Sequence, residues 1–464
     1  MVGSQNMILQ ASKSILNKLN IGLGCSLLLI LVFGTGKNNL EIIFCVACFA
    51  TIINLFFNQP IIFFTLAYHA FQATIKVAYA ELTQVSLNEL TLYSPNASLA
   101  EALRLSCIGI IALSCSIRIL LPKHIPSNYL NFNVNKLFIL YGGFVLVEII
   151  TNSVGQLGAF YQILYKLSIL KWSILFLIIY TGIQRKKNFY FISIIGFEVL
   201  ISVLSYFSTF KSVLFIALIS FLILSFYYFK IKGRYFIIIG TLSLILLFTW
   251  QNIKEDYRIF LSGGERNQIV TVDFSDAYDK VIDLVKEKSY DAQSTFDKTV
   301  NRVSYIDFFA ESINYIPSIK PHTNGEVWTE SILHILQPRL FFPNKGVIDD
   351  SHKTMAFTGL MLADAEQGTS ISLGYIAESY VDFGEYIFVI PVILLGLLIG
   401  WLFRKLFDSK INSIYCWAFA VPFYFQFYGL EMASEKILGS IITYAIIVWL
   451  TIKFGKKQFA WLEK

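Results

Sequence analysis

Cations, prolines, aromatics and a pair of alternating carboxylates crowd into residues 302–384. Arg339 and Lys345 stand in the turn Pro338-Arg339-Leu340-Phe341-Phe342-Pro343-Asn344-Lys345. The rigid fork of an arginine suits bidentate recognition of phosphate oxygens, and a lysine adds a point charge. The two prolines stiffen the turn, and Phe341 and Phe342 favour a membrane edge. Such a loop suits a lipid-linked phosphate; it equally suits an interfacial loop with snorkelling cations. Glu378, Tyr380 and Asp382 alternate just before a long apolar run. Glu378 has the chemistry of a general base on a sugar hydroxyl. Carboxylates at a helix start are also favoured by the helix dipole alone. Arg258 either joins a cationic cluster or balances Glu255 and Asp256 beside it. His322, His334 and His352 are spaced by 12 and 18 residues, which matches no metal-site signature. There is no phosphate-binding glycine loop, no G-x-S-x-G and no H-E-x-x-H.

A second set of ionisable residues stands inside apolar runs: His69, Lys76, Glu148, Lys171, Glu198 and Lys211. Charges in a bilayer are costly, so such residues are functional or paired. Glu148 with Lys171, and Glu198 with Lys211, are candidate ion pairs between neighbouring helices. Lys211 also opens an apolar run from the same side as Arg339.

The elements that position these residues are membrane helices. The chain has 464 residues, 56% hydrophobic and 15% charged, with a mean hydropathy of +0.62. These values mark an all-α polytopic membrane protein. A spanning helix needs about 20 apolar residues. Twelve runs qualify: 21–36, 40–58, 60–79, 102–121, 137–152, 165–183, 188–207, 210–229, 235–252, 385–404, 412–429 and 436–453. Three parts follow: a membrane region over 1–252 with nine spans, an extramembrane loop over 253–384, and a membrane region over 385–464 with three. With the N-terminus inside, the cytoplasmic segments carry 18 basic residues against Asp408 and Glu463. That is the positive-inside pattern with both ends cytoplasmic, and it places the large loop outside.

From 252 to 383 the chain has 12 Lys and Arg against 20 Asp and Glu, a net of −8. The remainder carries +14, spread over short cytoplasmic segments that make no nucleic-acid groove. Within the loop, the 3.6-residue period predicts helices over 275–288 and 294–315, the second opened by Ser294 and ended by Pro317. All six cysteines fall in apolar runs, so no disulfide framework is expected in the loop, and Cys45 with Cys48 reads as packing. Residues 1–20 do not read as a cleavable signal peptide.

The segment 302–384 resembles the Wzy-type polymerases of bacterial surface polysaccharides. The resemblance rests on Arg302, Gly325-Glu326, Pro338-Arg339 with Pro343-Asn344-Lys345, Thr369-Ser370, and Glu378-Ser379-Tyr380-Val381-Asp382-Phe383-Gly384. It departs in one respect: no glycine of the loop has an arginine eleven positions before it. The resemblance implies a GT-C-like helical membrane fold in the bacterial cytoplasmic membrane. It implies transfer of a growing glycan from undecaprenyl pyrophosphate onto a new lipid-linked repeat unit, in O-antigen, capsule or exopolysaccharide synthesis. Arg339, Arg302, Lys345 and Arg258 would then stabilise the pyrophosphate, Glu378 would assist the acceptor hydroxyl, and Lys211, Tyr380 and His334 would line the substrate. The implied partners are undecaprenyl-pyrophosphate-linked oligosaccharides, the lipid bilayer and a chain-length regulator protein. No cofactor is implied, and no D-x-D motif points to a metal. Two other readings remain: a ligase-type transferase using another acceptor, and a polysaccharide flippase, which internal symmetry between halves would favour.

Overall fold

The computed structural model describes residues 2–122, 125, 127–153, 159–203, 210–264, 271–287, 292–337, 341–342, 345–346, 348–363 and 370–463. Every regular element among them is a helix. In hydrocarbon only a helix or a closed barrel satisfies its own backbone groups, so an apolar chain of this pattern folds this way. The first membrane region holds α1 (Val2–Phe33), α2 (Asn39–Phe56), α3 (Pro60–Thr83), α4 (Leu99–Leu120), α5 (Val134–Ser153), α6 (Ala159–Ser168), α7 (Lys171–Gln184), α8 (Phe189–Val203), α9 (Phe210–Tyr227) and α10 (Gly233–Leu261). The polar segment holds α11 (Phe274–Glu287), α12 (Ala292–Val303), α13 (Asp307–Tyr315), α14 (Glu326–Leu336), α15 (Asp350–Thr358) and α16 (Tyr375–Ile387). The last part holds α17 (Val389–Phe407), α18 (Ser413–Ala420), a 3-10 helix (Val421–Gln426), α19 (Ser434–Phe454) and α20 (Lys456–Glu463).

Among the described residues, eight helical stretches are long and apolar enough to cross a membrane. They are Asn39–Phe56, Pro60–Thr83, Leu99–Leu120, Val134–Thr151, Ile163–Gln184, Phe210–Tyr227, Val389–Phe407 and Ser434–Phe454. Two further apolar stretches, Leu16–Ile30 and Phe189–Ser202, are shorter. The 235–252 run lies within α10, whose 29 residues extend about 43 Å. That exceeds a hydrocarbon core of about 30 Å, so the helix carries its last turns into the polar segment.

The expected span over 412–429 is not one helix. α18 stops at Ala420, and a 3-10 helix containing Pro422 replaces it. Proline lacks the N–H that would continue the α-helical ladder. A broken helix at this depth is tolerated only where protein surrounds it. Trp417, Phe423 and Tyr424 are accordingly buried.

The polar segment does not stand apart. Ile306, Phe309, Ile316, Val327 and Trp328 belong to the same hydrophobic core as α2, α3, α4 and α17. The predicted 275–288 helix is α11. The expected 294–315 helix divides into α12 and α13, where the Tyr305 N–H leaves the helical ladder for the Gln72 carbonyl of α3. Asp382 then closes the segment onto α16: its carboxylate accepts from the Val327 and Trp328 N–H groups at 3.0 and 2.9 Å, capping α14, and from Thr323 at 2.5 Å. Gly374 is required by contact as well as by its φ of +90°, because a Cβ there would meet the Leu430 carbonyl oxygen at 2.5 Å.

Candidate functional site

Four cations gather where α9 begins and where α10 and α12 end. The aromatic side of α10 sets them: Trp250 meets Phe210 of α9 edge-on at 5.7 Å and Tyr257 at 5.4 Å. Ile253, Leu261, Ala277 and Leu284 complete this second apolar cluster, which also seats α11. Lys211 follows Phe210 directly. Lys254 and Arg258 lie one turn apart on α10, where like charges repel. Arg302 comes from the last turn of α12, which packs against α3 and α10. Lys211 and Arg302 make no salt bridge among the described residues.

The mutual repulsion is visible at Lys254. Burial, and then the charges of Arg302, Lys211 and Arg258, push its ammonium down to about 7, against a smaller pull from Glu255. Four such charges held together against their own repulsion have the chemistry to receive an anion. Below about 7 Lys254 is charged and the cluster holds four cations; above it Lys254 is neutral and one is lost. Relative to Lys254→Arg, wild type therefore loses affinity for inorganic pyrophosphate as pH rises through about 7, the ligand's own ionisation being common to both. Lys254→Arg, which stays charged, flattens that profile in a titration series. An unchanged profile in Lys254→Arg contradicts the assignment.

A carboxylate completes the group. Glu431 lies between the 3-10 helix and α19, and sequence reasoning missed it. Gln72 of α3 donates to its Oε2 at 2.6 Å and accepts the Leu430 N–H at 2.8 Å. Tyr68, Tyr305, Tyr424 and Tyr428 all lie within electrostatic reach of Glu431, and Arg302 acts on it too. Burial holds the Glu431 carboxyl above the usual carboxylate range, against the pull of Gln72 and Arg302. The signal available in the sequence was an acid in the short stretch between two apolar runs.

The other sequence candidates fall elsewhere. Arg339 lies outside the described residues. Lys345 donates to the carbonyls of His334 and Gln337, at the end of α14, the second at 3.0 Å. Tyr380 is buried, donates to the Ile316 carbonyl at 3.2 Å and packs on Phe309 and His322. Glu378 is 0% exposed. Its Oε1 pairs with Lys353 of α15 at 2.7 Å, and its Oε2 accepts the Ser434 N–H at 2.7 Å. Lys353 also pairs with Glu435 at 2.9 Å, so one lysine ties α15, α16 and α19 together. Glu378 here presents no oxygen to an outside hydroxyl. Of the ionisable residues in spans, Lys171 pairs with Glu148 at 2.5 Å as expected. Glu198 turns to the same lysine at 3.0 Å rather than to Lys211. Lys76 pairs with Asp307 of α13 at 2.5 Å, which pins the polar segment to α3. Among the described residues, no three His, Cys, Asp or Glu side chains gather as a metal site.

A family model, described as a domain of unknown function (DUF8712), matches residues 36–458. The chain belongs to the DUF8712 family. The DUF8712 match takes in both membrane regions and the polar segment between them, so Lys211, Lys254, Arg258, Arg302 and Glu431 all lie within it. No curated protein and no solved structure matches the chain.

Proposed function

We propose that this membrane protein is a glycan polymerase of the bacterial cytoplasmic membrane. It transfers a growing chain from undecaprenyl pyrophosphate onto a new lipid-linked repeat unit. The observation that carries the reading is the cluster of Lys211, Lys254, Arg258 and Arg302 beside Glu431. The positive-inside pattern supports an outward-facing cluster, with both termini cytoplasmic. Arg302, Arg258 and Lys211 are also residues to which the Wzy resemblance points.

The chemistry needs no nucleotide. The acceptor hydroxyl oxygen bonds the anomeric carbon of the donor as the bond from that carbon to the pyrophosphate breaks. The electron pair leaves on the pyrophosphate, and the four cations stabilise that developing charge. The hydroxyl proton passes to Glu431, whose basicity is raised by burial. Glu431 therefore takes the role expected of Glu378, and Lys353 keeps Glu378 as part of the frame. A chain-length regulator would meet this protein on its outer face.

The test is reconstitution. Purified protein given only lipid-linked repeat units should produce a ladder of longer lipid-linked chains, and Glu431→Gln should abolish it. Transfer to another acceptor without lengthening would replace the polymerase reading with the ligase one. No transfer to any acceptor would end both.

A further inference from the structure

α6 carries one cation that the site above does not use. Lys166 is half-buried and donates to Gln426 Oε1 at 2.6 Å and to Ser440 Oγ of α19 at 3.0 Å. Both partners are neutral. Among the described residues no carboxylate pairs with it or acts on it. The contrast with the other lysines is sharp: Lys76, Lys171 and Lys353 each hold a carboxylate. Lys171, only five positions on, holds both Glu148 and Glu198. A charge withdrawn from water needs an opposite charge, and this one has none among the described residues.

The surroundings are built. Gln426 is fully buried, and its amide N–H is fixed on the Pro422 carbonyl at 3.0 Å, which aims its oxygen at Lys166. Tyr161 and Tyr165 of α6 are exposed and stacked, with ring centres 6.1 Å apart and planes 7° from parallel. Exposed tyrosines of this kind sit at headgroup depth. Gln426 and Glu431 belong to one short stretch, so this cation and the four-cation cluster approach the same strand of chain.

We infer that Lys166 with Gln426 and Ser440 binds a second lipid-borne phosphoryl group. Resting on the proposed polymerase, its ligand is the pyrophosphate of the acceptor, because that reaction brings two lipid-linked substrates together. The four-cation cluster takes the donor.

Native mass spectrometry tests this on the full chain, with undecaprenyl pyrophosphate or phosphatidylglycerol added. Wild type should hold two undecaprenyl pyrophosphates, Lys166→Met one, and Lys166→Arg two; the arginine variant controls for folding. Loss of one phosphatidylglycerol in Lys166→Met, with both pyrophosphates kept, upholds the phosphoryl site but assigns it to bulk lipid. If wild type binds no undecaprenyl pyrophosphate yet Lys166→Met loses a phosphatidylglycerol, the polymerase reading fails and the Lys166 site stands. Equal binding of both lipids by wild type and Lys166→Met overturns the inference.

Discussion

With the proposed function, Arg302→Ala should lower glycan transfer by about 10²–10³-fold while the protein stays at wild-type abundance. The magnitude is that of removing one fixed group from a developing anion. The unchanged abundance follows from position: Arg302 is exposed, ends α12 and makes no salt bridge among the described residues. A substitution of that kind usually costs no more than about 0.5 kcal/mol of stability. The readout is glycan chain length in a deletion host, beside the amount of protein in the membrane. Arg302→Lys should keep part of the activity, because it keeps charge and loses the fork. Long chains at normal level from Arg302→Ala would remove Arg302 from the site.

Lys353→Met should act on the fold instead. It leaves Glu378 and Glu435 facing each other, Glu378 with no exposure at all. Removing one partner of a buried ion pair costs about 3–5 kcal/mol. In detergent that appears as a large fall in Tm and in the membrane as reduced abundance. The pH sign is checkable. Burial, aided by Glu435, raises the Glu378 carboxyl above its ordinary 4.5, and Lys353 opposes this. Without Lys353, the cost of ionised Glu378 is present above that value and fades as pH falls toward it, because the folded state then takes up a proton. Lys353→Met should therefore lose less stability near pH 5 than near pH 8. Adding Glu378→Gln should recover part of the loss, which a double-mutant cycle measures. Equal loss at both pH values would contradict the account.

Sequence reasoning found what local pattern controls. Among the described residues apolar length marked eight of the twelve expected spans, the helical period marked α11, and Lys171 met Glu148 as expected. It failed where distant segments decide the outcome. The break at Pro422 was hidden because its neighbours are as apolar as a true span, and burial in protein, not composition, permits it. The division of α12 from α13 depends on a bond to Gln72, far away in the chain. Gln72 and Glu431 meet across 359 positions, which no spacing rule anticipates. Glu378 stood in a persuasive pattern, yet Lys353 claims it from another helix. Arg302, Arg258 and Lys211 were recognised one at a time, but Lys254 and their common location needed the fold.

The proposed function requires that Lys211, Lys254, Arg258 and Arg302 form one pyrophosphate site shared by membrane helices and the polar segment. The direct measurement is the Kd of undecaprenyl pyrophosphate for wild type and for Lys211→Met, Lys254→Met and Arg302→Ala, at one ionic strength and one pH below about 7, where Lys254 is charged. Each substitution is predicted to raise Kd by about 10-fold, the value of one charge-assisted contact. Kd values that match wild type in all three variants would contradict the account.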